Sequence, residues 1–462
     1  MLPLSELRPT RAELRETLRL ALPVVVAQVG AMLMGVVDTA MVGRVGPDAV
    51  AAVALGHIYW VNVTVPGLGL LLVLDPVVAQ AFGARDAAGV ARGVQRGVVL
   101  ALVLSIPAML LLLPGEWFFG VLRQPAEVAP MAATYARWIA LGMPAYLLFG
   151  VFRQSLQAMA ETRAVVTAIL FGNVLNVFLN WVLIYGHLGF PALGAEGSAI
   201  STVIGRWASL GVLCWVDRHL LIPNLRPWRR ESWHVGPLAR MIGVGLPVAF
   251  QQWLEVGVFA AGAAVIGWMG VKPLAAHEVA INLAALTFMV PMGIAAAAAA
   301  MVGRAIGRGD IAAARRDSVA AIAIGMLFMS GAAVLFVGAP SLLAGVFLAD
   351  AETRSIAASL IAIAGIFQVF DGLQGVCAGI LRGAADTKVP LLLHLGGFWG
   401  IGAPLGLLLA FPAGLGPRGV WYGYLGSLIA VAGAQLMRVR WRLSRPIERL
   451  KIDEATEVAS LS

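Results

Sequence analysis

The sequence predicts an all-α integral membrane protein, with twelve transmembrane helices in two six-helix lobes related by a pseudo-two-fold axis along the membrane normal. Three observations predict it. Of 462 residues, 60% are hydrophobic and 13% are charged, about half the roughly 25% charge of a soluble domain. Apolar stretches near the roughly 20 residues needed to cross about 30 Å of hydrocarbon recur from Leu18 to Met437. The chain also aligns with itself at a shift of 224 residues, and self-similarity on that scale defines an architecture. The composition excludes a soluble enzyme. Cys214 and Cys377 lie in apolar stretches and offer neither a disulfide framework nor a zinc site. The net charge of +8 is explained by basic residues flanking spans, so nucleic acid is not an expected partner.

Clusters of Arg, Asp, Gly and Pro cut the apolar stretches into helices in order. Span 1 covers 18–41 and follows an amphipathic, charged segment from Met1 to Arg19 that has no small-residue cleavage site, so it is expected to stay in the mature chain. Span 2 (51–80) contains Pro66 and the Asp75-Pro76 pair, and spans 3 (97–114) and 4 (131–152) follow. Span 5 (164–186) holds three asparagines, and span 6 (197–216) closes the first lobe. Spans 7 (241–267) and 8 (274–302) open the second, with Pro291 near the middle of span 8 as Pro66 is near the middle of the corresponding span 2. Both prolines are read as tolerated kinks. Spans 9 (318–340), 10 (356–379), 11 (389–411) and 12 (419–437) complete the count.

Twenty-six Lys and Arg fall on the side of the termini and five on the other, while Arg137 and Arg206 lie within spans. That bias places both termini in the cytoplasm and requires an even number of spans. The repeat sets the domains. Pro23 falls on Pro247, Gln28 on Gln252, Gly43 and Gly46 on Gly267 and Gly270, and Ala81, Gly83, Asp86 and Arg92 on Ala305, Gly307, Asp310 and Arg316. Ala160-Glu161-Thr162-Arg163 resembles Ala385-Asp386-Thr387-Lys388 at a shift of 225. Because six is even, the copies are parallel. The expected organisation is an N-terminal lobe over 1–217, a cytoplasmic linker over 218–240, a C-terminal lobe over 241–443 and a cytoplasmic tail over 444–462. Pro223, Pro227 and Pro237 should limit regular structure in the linker, and a central cavity between the lobes is the expected product.

Among the acids inside spans three stand out: Asp38 near the outer end of span 1, Glu255 near the middle of span 7 and Asp371 deep in span 10. A mid-bilayer carboxylate costs on the order of 2.5–3.5 kcal/mol on the lenient insertion scale, and none has Lys or Arg within one turn of its own helix. Each is either held neutral for packing or relieved by a proton or metal cation, which suits a coupling site. Asn173, Asn176 and Asn180 share one face of span 5, either for interhelical packing or in support of Asp38. The repeat does not preserve the acids, since Asp38 falls on Gly262 and Glu255 on Ala31. Arg137 and Arg206 could line a pore. His57, His277 and His394 lack metal-ligand spacing and read as packing residues. Trp253, Phe259, Phe288, Met289, Phe367 and Phe370 are candidates for substrate contact, because aromatic and Met side chains receive flat apolar cations by stacking and soft packing.

Taken together, the Asp38-Thr39-Ala40-Met41-Val42-Gly43 segment, the run from Gly172 to Asn176, Pro247 with Gln251-Gln252 and Glu255, and Asp371 with the stretch from Leu381 to Lys388 resemble the multidrug and toxic compound extrusion (MATE) family, in particular its NorM branch. The resemblance covers essentially the whole chain. It implies export of organic cations and hydrophobic drugs driven by sodium or proton entry, in the inner membrane of a bacterium, by a protein that is not an enzyme, is a monomer among lipids and needs no cofactor beyond the coupling ion. It further implies that Glu255 and Asp371 form the cation site, with Na+ as the one metal expected there, and that Asp38 is a proton or sodium site. Phe367 departs from relatives that carry a Tyr one turn before that Asp, which removes an oxygen ligand. A flippase for lipids or lipid-linked sugars is the competing reading, although it would favour a strongly basic cavity. A membrane-embedded enzyme would need a Ser/Lys, His/Glu or metal constellation that the spans do not show.

Overall fold

The computed structural model describes residues 9–453, so residues 1–8 of the leading charged segment and 454–462 of the expected tail lie outside the described residues. Every regular element among the described residues is helical. In chain order these are α1 (Arg11–Val42), α2 (Pro47–Leu71), α3 (Leu74–Gly83), α4 (Ala87–Leu112), α5 (Gly115–Val121), α6 (Ala129–Ala140), α7 (Met143–Ala158), α8 (Arg163–Tyr185), α9 (Ala195–Val216) and α10 (Arg218–Leu225). A 3₁₀ turn at Arg230–Trp233 leads to α11 (Val235–Gly267), α12 (Val271–Gly307), α13 (Ile311–Gly338), α14 (Pro340–Phe347), α15 (Ala351–Gly383) and α16 (Lys388–His394). A π-helical stretch (Leu395–Gly402), α17 (Ala403–Ala410) and α18 (Pro417–Leu443) follow.

Among the described residues eleven helices are long and apolar enough to cross a membrane, and twelve if α6 and α7, bent by 49° at Leu141–Gly142, make one span. Each coincides with a span expected from the sequence. Pro66 and Pro291 sit inside α2 and α12 without ending them. The break in the second span comes later, at Leu72–Val73 before α3, where Pro76 has no N–H to return to Leu72. Its counterpart a repeat away is Ala300, and α12 runs through unbroken. The linker holds more structure than its prolines suggest. Gln95 of α4 donates to the carbonyls of Asn224 and Pro227 at 3.0 and 3.2 Å and accepts from Arg229 N and Ser232 Oγ at 2.9 and 2.8 Å, so one buried amide replaces the hydrogen bonds the prolines cannot make.

The backbone repeats as the sequence does. Asp86 caps α4 by accepting from Gly89 N at 2.7 Å, and Asp310 caps α13 by accepting from Ala313 N at 2.8 Å. Just before each cap the chain turns left-handed, at Arg85 (φ 58°) and at Gly309 (φ 75°), and Ala160 (φ 66°) and Ala385 (φ 56°) form a second such pair.

The residues gather into two compact units. The first holds Val26–Ala249 and residues 451–453. The second holds residues 9–25 and Phe250–Leu450. In the first, α3, α4 and α7 meet around Gly97, where an added Cβ would lie 3.0 Å from Leu74 and Val151 side chains. In the second, α12 and α15 touch through small residues at a four-residue interval. A Cβ on Gly379 would lie 2.3 Å from Ala295 O, and one on Gly383 2.5 Å from Ala299 O. Such contact is how membrane helices attract without a hydrophobic effect between them. It fixes α15, the helix that carries Asp371.

Candidate functional site

Each unit buries its acid beneath an amide. In the first, α1 brings Asp38 against α8, where Asn180 Nδ2 donates to Asp38 Oδ1 at 2.6 Å and to Asn176 Oδ1 at 3.2 Å. The spacing of four puts both asparagines on one face, and both are fully buried. Asn173 is on that face too but does not join them, since its Nδ2 donates to the Gly30 carbonyl at 2.8 Å and ties α8 to α1 instead. Thr202 of α9 supplies the partner that the sequence reading missed. Its hydroxyl lies 3.3 Å from Asp38 Oδ2 and 2.9 Å from the Ser198 carbonyl, and its single hydrogen serves one acceptor at a time.

In the second unit, α11 and α15 bring Glu255 and Asp371 under a shared amide. Gln374 Nε2 donates to Glu255 Oε1 at 3.0 Å and to Asp371 Oδ1 at 3.3 Å. Neither carboxylate has a Lys or Arg ion pair among the described residues; the basic side chain near Glu255 is His394, with Nε2 3.7 Å from Oε2. That ring is fully buried and held from several sides, with Nδ1 2.9 Å from the Pro390 carbonyl, Nε2 3.2 Å from Gln251 Nε2, and Gln435 Nε2 3.2 Å from Nδ1. The π-helical stretch begins at the next residue, and its Trp399 Nε1 donates to Leu254 O at 3.2 Å. Such local widening is frequent at functional sites. The sequence reading set His394 aside for its spacing, and the partner lies on another helix. His277 does serve packing, accepting from Trp421 Nε1 at 3.1 Å while buried.

The two sites share one chemical feature. Asn180 Oδ1 and Gln374 Oε1, the oxygens of the amides whose nitrogens hold the carboxylates, are buried without a hydrogen-bond partner. An unsatisfied buried acceptor costs about 1–3 kcal/mol. Hard oxygens from Asp38, Asn180 and Thr202, and from Glu255, Asp371 and Gln374, are the donor type that a hard cation takes. A Na+ ion fits either set by donor chemistry, and a proton on the carboxylate relieves the charge alone. The repeat shows why the first trio is not copied. At the place of Asp38, Gly262 leaves room for the Tyr424 hydroxyl, and a Cβ there would lie 1.6 Å from it.

The aromatic candidates divide. Phe259 meets Phe367, Phe398 and Tyr424 with ring centroids 6.2, 6.2 and 5.1 Å apart, and Phe367 is buried against Trp421. Phe370 packs on the same cluster, and Phe288 lies beside Gly375. Trp253 is exposed, and Met289 is half-buried. Of the two arginines within spans, Arg137 is exposed and pairs with Glu116 at 2.6 Å.

This arrangement defines a class: an internally duplicated, multi-span helical membrane protein with buried acids in both repeats. The MatE family model matches it twice, over residues 23–182 and 247–408, two segments that begin one repeat length apart. The chain is 37% identical to the multidrug resistance protein NorM of Burkholderia vietnamiensis, over 93% of this chain and 94% of that one. It is 35% identical to the multidrug resistance protein PmpM of Pseudomonas aeruginosa, over 100% and 98%. Among solved structures it superposes with TM-score 0.84 at 21% identity on an outward-facing multidrug resistance MATE family transporter, over 94% of this chain and 96% of the other. The eukaryotic MATE transporter AtDTX14 gives TM-score 0.83 at 21% identity, over 94% and 99%. The chain belongs to the MatE family.

Proposed function

We propose that this protein exports organic cations and hydrophobic drugs from a bacterial cell by secondary antiport, in exchange for Na+ and/or H+, through alternating access in the inner membrane. The observation that supports it most is the pair Glu255 and Asp371 under a single amide with no Lys or Arg partner among the described residues, a double acid, Asp371 buried and Glu255 half-buried, that a cation relieves. The names of the relatives, multidrug resistance proteins, point the same way. An entering ion and a cationic drug compete for the acids, and ion binding releases the drug. One charge moving down 100 mV supplies about 2.3 kcal/mol, enough for a concentration ratio of roughly fifty, so no ATP site is needed. On this reading Asp38, with Asn176 and Asn180, is a second, protonatable or sodium-binding site, while Trp253, Phe288, Met289 and Phe370 receive the flat apolar part of the drug. The lobes of the sequence repeat are 1–217 and 241–443 around a linker at 218–240, as distinct from the compact units, which divide at Val25 and Ala249; both termini face the cytoplasm, and the protein works as a monomer among lipids, without nucleic acid. The test is drug efflux from liposomes of purified protein, with Na+ and H+ gradients imposed separately. Efflux should follow at least one of them, and efflux indifferent to both sinks the proposal.

A further inference from the structure

Arg206 is the intramembrane charge that neither acid site uses. It lies on α9 one turn beyond Thr202, hence on the face that reaches Asp38. Its guanidinium carbon stands 3.9 Å over the ring of Trp60 on α2 and 5.0 Å from that of Tyr146 on α7, two rings set edge to face at 5.5 Å. Asp38 is within electrostatic reach, yet its oxygens are taken by Asn180 and Thr202, and Arg206 makes no ion pair or hydrogen bond among the described residues. Its Nη1 is buried without a partner. The surroundings keep space for this group. At the break between α6 and α7, a Cβ on Gly142 would come within 3.2 Å of Arg206 Cδ and 3.4 Å of Nη1. Arg153 on α7 of the same unit differs by donating to Gln28 Oε1 at 3.1 Å. An unpaired ionised side chain inside a membrane protein marks a functional site by default, and a guanidinium fork on aromatic faces matches a planar carboxylate.

We propose that Arg206, with Trp60 and Tyr146, forms a carboxylate subsite of the first unit, so that the protein takes aromatic amino acids and other zwitterions, ammonium toward Asp38 and carboxylate on Arg206, as well as plain cations. The inference rests on the exporter reading and names a substrate class for it. Trp60, 2% exposed, and Tyr146 back the guanidinium and hold it flat while the fork takes the acid of the ligand, and Nη1 gains the acceptor it lacks.

The test compares a rhodamine dye bearing a free benzoate with its methyl ester, which carries the same cationic ring system without the acid. Fluorescence polarisation on the purified protein gives an acid-to-ester affinity ratio, a quantity that partial misfolding does not change. In wild type the acid should bind at least as tightly as the ester. In Arg206→Gln the ratio should fall about tenfold or more, the size of one lost charge-assisted pair. In Arg206→Lys, which keeps the charge without the planar fork, the ratio should fall less but stay below wild type. If Arg206→Gln does not fold, the Lys variant decides. A wild type that prefers the ester, or variant ratios equal to wild type, overturns the subsite and leaves the exporter reading standing. Wild-type protein that binds neither dye counts against the exporter reading itself.

Discussion

Replacing Glu255 by Gln tests the double acid most directly. Gln374 Nε2 reaches Glu255 Oε1 at 3.0 Å and Asp371 Oδ1 at 3.3 Å, so the two oxygens are within about 6 Å of one another, and at an effective dielectric of about 20 two full charges at that separation repel by about 3 kcal/mol. A cation or proton bound between them removes that repulsion. The variant has nothing to remove, because an amide is nearly the same shape and carries no charge. Drug affinity in the wild type should therefore weaken by up to about a hundredfold from ion-free to ion-saturated conditions, and in Glu255→Gln the same change should shrink to within about threefold. Asp371→Asn should behave alike. The assay is equilibrium binding of a fluorescent cation to purified protein, titrated with Na+ at fixed pH and with acid at fixed Na+, followed by efflux from liposomes. The variants should fold normally and fail in coupled export. A well-folded Glu255→Gln with wild-type ion dependence would refute the reasoning and remove the pair from the coupling mechanism.

Four further outcomes are expected. Asp38→Asn should bind a cationic drug weakly at every pH, whereas wild-type affinity should fall on acidification; a variant that keeps the wild-type pH dependence clears Asp38 of any switching role. Gly262→Ala should cost about 1–3 kcal/mol by overpacking, read as a lower thermal midpoint in detergent, because its Cβ would meet the Tyr424 hydroxyl; Tyr424→Phe in the same protein should recover part of the loss. Removing either repeated cap, Asp86→Ala or Asp310→Ala, should cost about 1 kcal/mol each, and equal midpoints for wild type and both variants would show the caps to be dispensable. Outside the spans, burial alone would raise the Asp453 carboxyl, but Arg96 at 2.5 Å and Arg92 at 2.8 Å hold it below the usual range. Its contribution is thus present above the ordinary carboxylate range and lost as pH falls through the depressed value; with the side chain 43% exposed it should amount to less than about 1 kcal/mol, seen as a wild-type advantage over Asp453→Asn at neutral pH that vanishes in strong acid.

The spans, the repeat and the three acids are legible in the sequence because each departs from what a bilayer tolerates. A carboxylate among apolar residues announces itself, and so does an Asp that recurs at the start of two equivalent helices. Thr202, Gln374 and His394 are not legible in the same way, since uncharged polar residues are common on membrane helices and what distinguishes these is a partner on a different helix. The aromatic candidates show the same limit. Span position does not separate Phe259 and Phe367, which build a core, from the exposed Trp253.

The chain does not change units at its linker. Residues 9–25 belong with Phe250–Leu450, and α11 as far as Ala249 belongs with the first unit, where Gly69 leaves no room for a Cβ beside the Ala249 backbone, at 2.7 Å. Gly293 likewise accepts Val25 so closely that a Cβ would lie 2.5 Å from its side chain. During synthesis, then, the opening turns of α1 wait for a helix made almost three hundred residues later, and the first unit stays incomplete until α11 has left the ribosome. A gene cut in the linker would yield two fragments that each carry the other's missing piece. Neither should be stable alone, and both together should reassemble, which makes this duplicated protein one cooperative object rather than two modules in tandem.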